Sequence, residues 1–204
     1  MLRVPFFLVS YATLTGSLFG QVVDLKIKGQ INALKKLKVD TFLIYSIPCA
    51  GSIPPDGSCN LKETQYLFWL KQNVCFYMEF DYCKNYKPIL VDSLNPICFY
   101  LLNKKHIDKE IIKPPTYIES KKGNITNEVS VFVDHTCFYE MTFLLGAKKT
   151  FKTANDFNLT KAKLDNGKKN IYYKYNQLTK TKALIDLTNE LVKKLSPNQA
   201  FTSD

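Results

Sequence analysis

The chain of 204 residues has a formal net charge of +10, and lysine supplies almost all of it because Arg3 is its single arginine. Specific recognition of nucleic acid relies heavily on the bidentate guanidinium group of arginine. The composition therefore argues against a nucleic-acid partner. Scattered lysine pairs, among them Lys121-Lys122 and Lys168-Lys169, are compatible with weak binding of glycosaminoglycans.

The first twenty residues have the layout of a signal peptide. Arg3 precedes an apolar run from Val4 to Leu14, and small or turn-forming residues follow as far as Gly20. The run is shorter than the about 18 to 20 apolar residues that a membrane helix needs. We therefore expect residues 1–20 to be removed near Gly20 and the protein to be secreted into the extracellular space, with no membrane partner.

Residues 21–48 form an N-terminal extension. Val23, Leu25 and Ile27 alternate with polar residues, which predicts a half-buried strand that ends at Gly29. The apolar run from Phe42 to Tyr45 is compatible with a strand or with a turn of helix.

Two aromatic segments dominate the next block, residues 49–102. Residues 65–70 and 75–80 are rich in Tyr, Phe and Trp, and Gln72-Asn73 lies between them. This pattern predicts a twisted β-hairpin. Upstream, Pro54-Pro55-Asp56-Gly57 predicts an extended, turn-forming loop, because each proline restricts its own backbone and that of the residue before it.

Residues 114–161 repeat features of the first block. Pro114-Pro115 matches Pro54-Pro55, and the segment 137–141 matches the segment 75–79 in its Cys-Phe-Tyr beginning. In the C-terminal extension, residues 162–204, we expect a turn at Asn166-Gly167, a strand at residues 171–173 and an amphipathic helix from about Thr181 to Leu195.

Export would place the six cysteines in an oxidising compartment, where disulfide bonds are the usual outcome. The two histidines, His106 and His135, are far apart in the chain, so we expect neither a metal site nor a cofactor. Asn124 and Asn158 each begin an Asn-x-Thr sequon and are candidate glycosylation sites.

The gaps between Cys59, Cys75, Cys83 and Cys98, together with the upstream Pro-Pro-Asp-Gly-Ser-Cys, resemble a divergent Kunitz (pancreatic trypsin inhibitor) domain of the kind found in tick saliva. The resemblance implies a small disulfide-rich α+β fold. It would contain two degenerate Kunitz-like units, at 49–102 and 114–161, each a twisted hairpin plus a short helix. In the second unit, Phe157 occupies the position of the family's fifth cysteine.

The resemblance also implies a disulfide pattern. In this pattern Cys59 pairs with Cys83, and Cys75 pairs with Cys98. The family's last cysteine would fall near Leu102, where this chain has no cysteine. A bridge between the remaining Cys49 and Cys137 would leave no free thiol, although the sequence does not choose among the possible pairings. The family's Gly-Gly before the fourth cysteine is replaced by Asp81-Tyr82.

The family's binding loop corresponds here to Gly57, Ser58, Cys59, Asn60, Leu61 and Lys62. The resemblance implies that Asn60 would enter the main pocket of a serine protease. Asn60 leaves the carboxylate of a trypsin-like pocket unpaired, which costs about 2 to 5 kcal/mol. We therefore expect weak trypsin inhibition and a secreted module that binds an extracellular protein: a protease, a receptor or a channel.

We expect no enzymatic activity, because Asp134-His135 is the sole adjacent acid–histidine pair and neighbouring strand residues point to opposite faces. The alternative is a secreted, lipocalin-like or other α+β protein that encloses a small ligand. In that case the aromatic segments 65–80 and 129–145 would form the walls of its pocket.

Overall fold

A computed structural model describes residues 18–50, 64–81, 86–92 and 94–196 of the protein. Its helices and strands are, in chain order, α1 (Leu18–Lys36), β1 (Thr41–Ser46), β2 (Gln65–Lys71), β3 (Val74–Phe80), β4 (Ile89–Val91), α2 (Pro96–Lys109), β5 (Thr116–Lys122), β6 (Ile125–Ser130), β7 (Phe138–Leu145), β8 (Lys148–Asn155), α3 (Asp156–Thr160), α4 (Tyr173–Gln177) and α5 (Lys180–Leu195).

One antiparallel sheet organises the protein, with the strand order β4-β3-β2-β1-β7-β8. β1 pairs with β2 on one side and with β7 on the other. The hairpins of the two predicted Kunitz-like blocks are therefore joined within one sheet by a strand from the N-terminal extension. β5 and β6 pair with each other in a separate, two-stranded antiparallel sheet.

The sheet is covered on both faces, which explains the continuous apolar runs in its central strands. On the first face, α1 packs through Val23, Ile27 and Ile31 against a cluster that includes Phe42 and Trp69. On the second face lie buried residues of β1, β2, β3 and β7 together with residues of α2 and α5: Leu43, Tyr45, Tyr66, Phe68, Cys75, Tyr77, Met141, Phe143, Ile97, Tyr100, Ile107, Leu184, Ile185, Leu191 and Val192.

The strand predicted from Val23 to Ile27 is wrong, because these residues lie in α1. Val23, Ile27, Ile31 and Leu34 are all buried, a helical spacing, whereas Leu25 is 66% exposed. The alternation of Val23, Leu25 and Ile27 was coincidental. It covers too few residues to distinguish the two-residue period of a strand from the 3.6-residue period of a helix. α1 ends where Val39 N–H bonds to the Leu34 carbonyl across a left-handed residue 38.

The predicted hairpin is confirmed as β2 and β3. Gln72 and Asn73 both have positive φ, 51° and 63°, as a two-residue type I′ turn requires. The helix near the C-terminus is confirmed as α5, with Thr179 as its N-cap. The turn at Asn166-Gly167 is also confirmed, since Gly167 has φ 76°.

The strand predicted at residues 171–173 is wrong. Ile171 and Tyr172 lie in a turn that leads into α4, which begins at Tyr173. Buried Asn170 organises this turn by accepting hydrogen bonds from Thr116 N and Tyr172 N. Sequence periodicity could not reveal such a tertiary contact, because Thr116 is distant in the chain.

A carboxylate links the C-terminal end of α2 to the N-terminal end of α5. Glu110, at the C-cap of α2, accepts hydrogen bonds from the backbone N–H groups of Lys180 and Thr181 and from the Thr181 hydroxyl. An anion at the N-terminus of a helix is favourable because it meets the positive end of the helix dipole. This contact fixes the layer that covers the second face of the sheet.

The helical register of α1 gives a direct test. We expect Ile27→Ala to lower the free energy of unfolding by about 2 to 5 kcal/mol, because it removes buried apolar contacts. The matched control Leu25→Ala should change it by less than about 0.5 kcal/mol, as for an exposed site. Urea denaturation measures both, and equal losses would restore the strand interpretation.

Candidate functional site

The candidate site is the end of the sheet at which β1 ends and β2 begins. Ser46 and Gln65 are directly paired there, so residues 47–64 leave and re-enter the sheet at neighbouring positions. We call this region the stapled end and define it by Ser46, Cys49, Gln65, Thr136 and Cys137. A hairpin connection needs about two to five residues, so this much longer connection is not required by the sheet.

A disulfide bond between Cys49 and Cys137 closes the stapled end. The two residues form an isolated antiparallel bridge. Backbone hydrogen bonds on either side extend it, from Phe138 N to Pro48 O at 2.8 Å and from Ala50 N to Thr136 O at 2.9 Å. The chain is thus held through residue 50, at the point where it enters the segment 51–63.

A polar cluster supports the bridge from the β8–α3 junction. Asp156 Oδ1 accepts a hydrogen bond from Cys137 N at 3.2 Å, and Asp156 N donates to Cys137 O at 3.0 Å. The Thr136 hydroxyl donates to Asn155 Oδ1 at 2.7 Å. Asn155 is also the N-cap of α3, since its side chain accepts from Phe157 N. These bonds make the base of the site rigid.

The other side of the base is held by α1. Gln65 Nε2 donates to Asp24 Oδ1 at 2.8 Å, and Lys26 Nζ donates to the carbonyl of Asp81 at 2.9 Å. Thr64, the residue before β2, is buried. Both points at which the segment 51–63 joins the described structure are therefore anchored.

Beneath the site, a row of tyrosines crosses the second face of the sheet. The rings of Tyr45, Tyr66 and Tyr77, on β1, β2 and β3, follow one another with centroids 6.1 Å apart at each step. The Tyr45 hydroxyl donates to Asn189 Oδ1 on α5 at 2.5 Å. Burial, and secondarily Tyr139, raises the pKa of Tyr45 well above its usual value.

The row ends at a buried carboxylate. Glu79 is 4% exposed and accepts hydrogen bonds from the Tyr77 hydroxyl at 3.4 Å and from Ser196 at the C-cap of α5. Burial, and then the neighbouring Glu79, raises the pKa of Tyr77. Because Glu79 is enclosed, it holds α5 against the sheet and is not placed to meet a substrate.

Sequence reasoning missed Glu79, Asn189 and Ser196. The sequence did contain a signal for Glu79. Cys75, Tyr77 and Glu79 are every second residue of β3 and so share one face of it, while the other residues of the strand are apolar. Within the described part of the chain, no group of three or more His, Cys, Asp or Glu side chains is placed to hold a metal ion. Asp134 and His135 are both exposed.

The predicted disulfides have different outcomes. The Cys49–Cys137 bridge is confirmed. The Cys75–Cys98 bridge is wrong in this structure, where both residues are free thiols: Cys75 is buried on β3 and Cys98 lies partly exposed in the first turn of α2. Asn95 caps α2 through Cys98 N, so the position of Cys98 is set by helix capping. Cys83 lies outside the described residues, and so does its predicted partner Cys59.

The predicted binding loop, residues 57–62, also lies outside the described residues. The two sequons are placed differently. Asn124 is exposed at the turn between β5 and β6, whereas Asn158 lies in α3, half-buried, with its carbonyl bonded by Asn176. The geometry therefore favours glycan attachment at Asn124.

Comparison with protein-family models, with curated proteins and with solved structures gives no match.

The bridge at the stapled end should contribute strongly to stability. We expect Cys49→Ser combined with Cys137→Ser to lower the free energy of unfolding by about 2 to 5 kcal/mol, because the disulfide closes a loop between residues 88 positions apart. Denaturant titration of both proteins measures the loss. A change below about 0.5 kcal/mol would contradict a structural bridge.

The two free thiols should differ in reactivity. Burial, and then the nearby Cys98, raises the pKa of Cys75 to about 12, so this thiol stays protonated and enclosed near pH 8. We expect iodoacetamide to label Cys98 in the native protein and to label Cys75 only after denaturation. Peptide mapping without reduction reads out both sites, and a peptide joining Cys75 to Cys98 would contradict this expectation.

Stability should fall at alkaline pH. The folded state keeps the protons of Cys75, Tyr45 and Tyr77 at pH values where the unfolded chain releases them. For Cys75 the stabilising effect is complete below about pH 9 and is lost as the pH rises towards 12. For Tyr45 and Tyr77 it is complete below about pH 10 and is lost progressively above that value. We expect Tyr45→Phe to flatten the part of the decline above about pH 10 in urea titrations from about pH 8 to about pH 11.5.

Proposed function

We propose that this protein is exported and binds another protein through the segment 51–63, which the stapled end presents. The observation that carries the proposal is the pairing of Ser46 with Gln65. The chain leaves β1, runs through residues 47–64 and returns to the adjacent position of the sheet. Connections longer than about 12 to 15 residues are uncommon in compact domains and are usually functional or disordered.

The anchoring of the segment supports a binding role. The Cys49–Cys137 bridge and the Ala50–Thr136 hydrogen bond restrain one end, and buried Thr64 restrains the other. A restrained segment loses less conformational entropy when it binds than a free one does. Recognition residues are commonly found on loops that a rigid scaffold holds in place.

The disulfide bond also supports export. Such bonds persist mainly in oxidising compartments. Residues 1–20, which have the layout of a signal peptide, would direct the protein to such a compartment. Among the described residues, no helix is long and apolar enough to cross a membrane.

The Kunitz resemblance suggests how the segment could bind. Under that interpretation, residues 57–62 would act as a substrate-like loop with Asn60 at its specificity position. Asn60 does not complement the carboxylate of a trypsin-like pocket. A non-trypsin protease, a receptor or a channel therefore remains the proposed class of partner.

The alternative ligand-binding function receives less support. The aromatic side chains that it assigns to pocket walls are used in packing: Tyr66, Phe68 and Tyr77 lie in the cluster with α2 and α5, whereas Leu67 and Trp69 pack with α1. These side chains are therefore used in the packed layers between the sheet and the helices.

Replacement of the segment tests the proposal. A variant in which a short Gly-Ser linker replaces residues 51–63 should fold, because the residues on either side are already paired, but it should lose its partner. Wild type alone would serve as bait in extracellular fluid, and a protein that it captures would be purified and titrated against wild type and variant. We expect affinity to fall by at least about tenfold.

The matched control is Asn73→Gly, at the opposite end of the same strand pair, where the positive φ of 63° suits glycine. It should bind like wild type. If the purified partner binds the linker variant and wild type equally, the segment is not the binding surface. A parallel arm with trypsin should show weak inhibition by wild type and about tenfold stronger inhibition by Asn60→Lys if the loop retains the Kunitz shape.

A further inference from the structure

Residues 163–169 form a turn that brings three lysines together, and this turn is distant in sequence from the stapled end. Lys163 and Lys169 form an isolated antiparallel bridge, and Lys168 lies beside them with its carbonyl bonded by Leu164 N at 2.9 Å. Gly167, at φ 76°, permits the reversal between the two sides. Like charges placed directly opposite each other destabilise a strand pair. We call Lys163, Lys168 and Lys169 the lysine turn.

Buried side chains fix the lysine turn in place. Leu164 is 5% exposed and Asn170 is 1% exposed, so both point into the protein. The Asn170 side chain accepts from Thr116 N and Tyr172 N and donates to Lys161 O at 2.9 Å. The three lysines are themselves exposed. The charges therefore project from a base that does not need to be ordered when a ligand binds.

Lys168 of the turn and the more distant Lys113 each pack on an aromatic ring. The Lys168 ammonium lies 4.2 Å from the ring centroid of Tyr117 on β5, and the Lys113 ammonium lies 4.8 Å from that of Tyr172. Between residues 161 and 174 there are five lysines and one acidic residue, Asp165.

The nearby carboxylates have partners of their own. Asp165 lies 3.7 Å from Lys161. On the β5-β6 sheet, Glu119 accepts from Asn127 and Glu128 accepts from Tyr172. None of these carboxylates forms an ion pair with a lysine of the lysine turn.

We propose that the lysine turn binds a sulfated polysaccharide of the glycosaminoglycan class. Lysine ammonium groups are compact point charges that pair with sulfate groups without the planar geometry that arginine provides. Several such groups on a rigid base suit a linear polyanion, and the ligand would offset the repulsion between Lys163 and Lys169. This site is independent of the proposed protein-binding segment.

The same features disfavour other anionic partners. A membrane-surface site combines cations with exposed apolar side chains, but Leu164, the large apolar residue of this turn, is buried. Binding of single-stranded nucleic acid uses exposed aromatic platforms. Tyr117 and Tyr172 are instead half-buried and covered by lysines.

Heparin titration of full-length protein tests the site. We expect Lys163→Ala/Lys168→Ala/Lys169→Ala to weaken heparin binding by at least about tenfold at physiological salt. The control Lys105→Ala/Lys148→Ala/Lys149→Ala removes the same charge from exposed positions elsewhere and should weaken it by less than about threefold. Equal losses in the two variants would overturn the proposal, because net charge alone would then explain binding.

Additional arms identify the ligand and check the fold. Desulfated heparin should bind much more weakly than heparin, whereas tighter binding to phosphatidylserine vesicles or to single-stranded DNA would overturn the polysaccharide assignment. Thermal unfolding should show that the triple variant is folded; if it is not, Lys163→Gln/Lys169→Gln replaces it, with the same expected direction. The Gly-Ser linker variant of residues 51–63 should bind heparin like wild type, so this test and that of the protein-binding proposal can fail separately.

Discussion

The structure depends on β1, a central strand buried on both faces. Phe42 packs towards α1, whereas Leu43 and Tyr45 pack towards the helices of the second face. β1 also pairs along its full length with β2 and with β7. It therefore joins the halves of the chain before and after residue 114 into one sheet. The two hairpins that resemble each other in sequence are parts of one sheet through this strand.

The stapled end follows from that arrangement. Because β1 lies between β2 and β7, its last residues meet both neighbours, and Cys49 reaches Cys137 directly. The polar layer of Tyr45, Tyr77 and Glu79 lies under the same end and bonds to Asn189 of α5 and to Ser196 at its C-cap. Buried polar groups of this kind must find partners, so they specify where α5 packs. The base of the segment 51–63 is thereby supported from below as well as from its sides.

The two proposed recognition surfaces differ in their physical basis. The segment 51–63 would bind through side-chain shape, and its two held ends, at Ala50 and Thr64, would lower the cost of ordering it. The lysine turn would use concentrated charge, which acts over distance and weakens as salt increases. Under the two proposals, the lysine turn would concentrate the protein on a polyanionic surface and the segment 51–63 would bind its partner there.

Local signals in the sequence were sufficient for several elements. The Gln72-Asn73 turn, the hairpin around it, the Gly167 turn and α5 all depend on residues within a few positions of each other, and each was predicted correctly. Ile31, Leu34 and Leu37 do have helix-like spacing, but the N-terminal half of α1 was missed because Val23, Leu25 and Ile27 fit a strand as well as a helix over so short a window. Only packing against the sheet reveals that Leu25 faces solvent.

The sequence by itself determined the lysine-rich composition, the cysteine content, the strongest turns and the amphipathic α5. Tertiary structure alone decided that Cys75 and Cys98 are thiols, that Glu79 is enclosed and that Lys163 opposes Lys169. The physical reason is the distance in sequence over which each preference acts. Turn and capping preferences are set by neighbours in the chain. Strand pairing and burial depend on groups that are brought together only when β1 joins the two halves of the sheet.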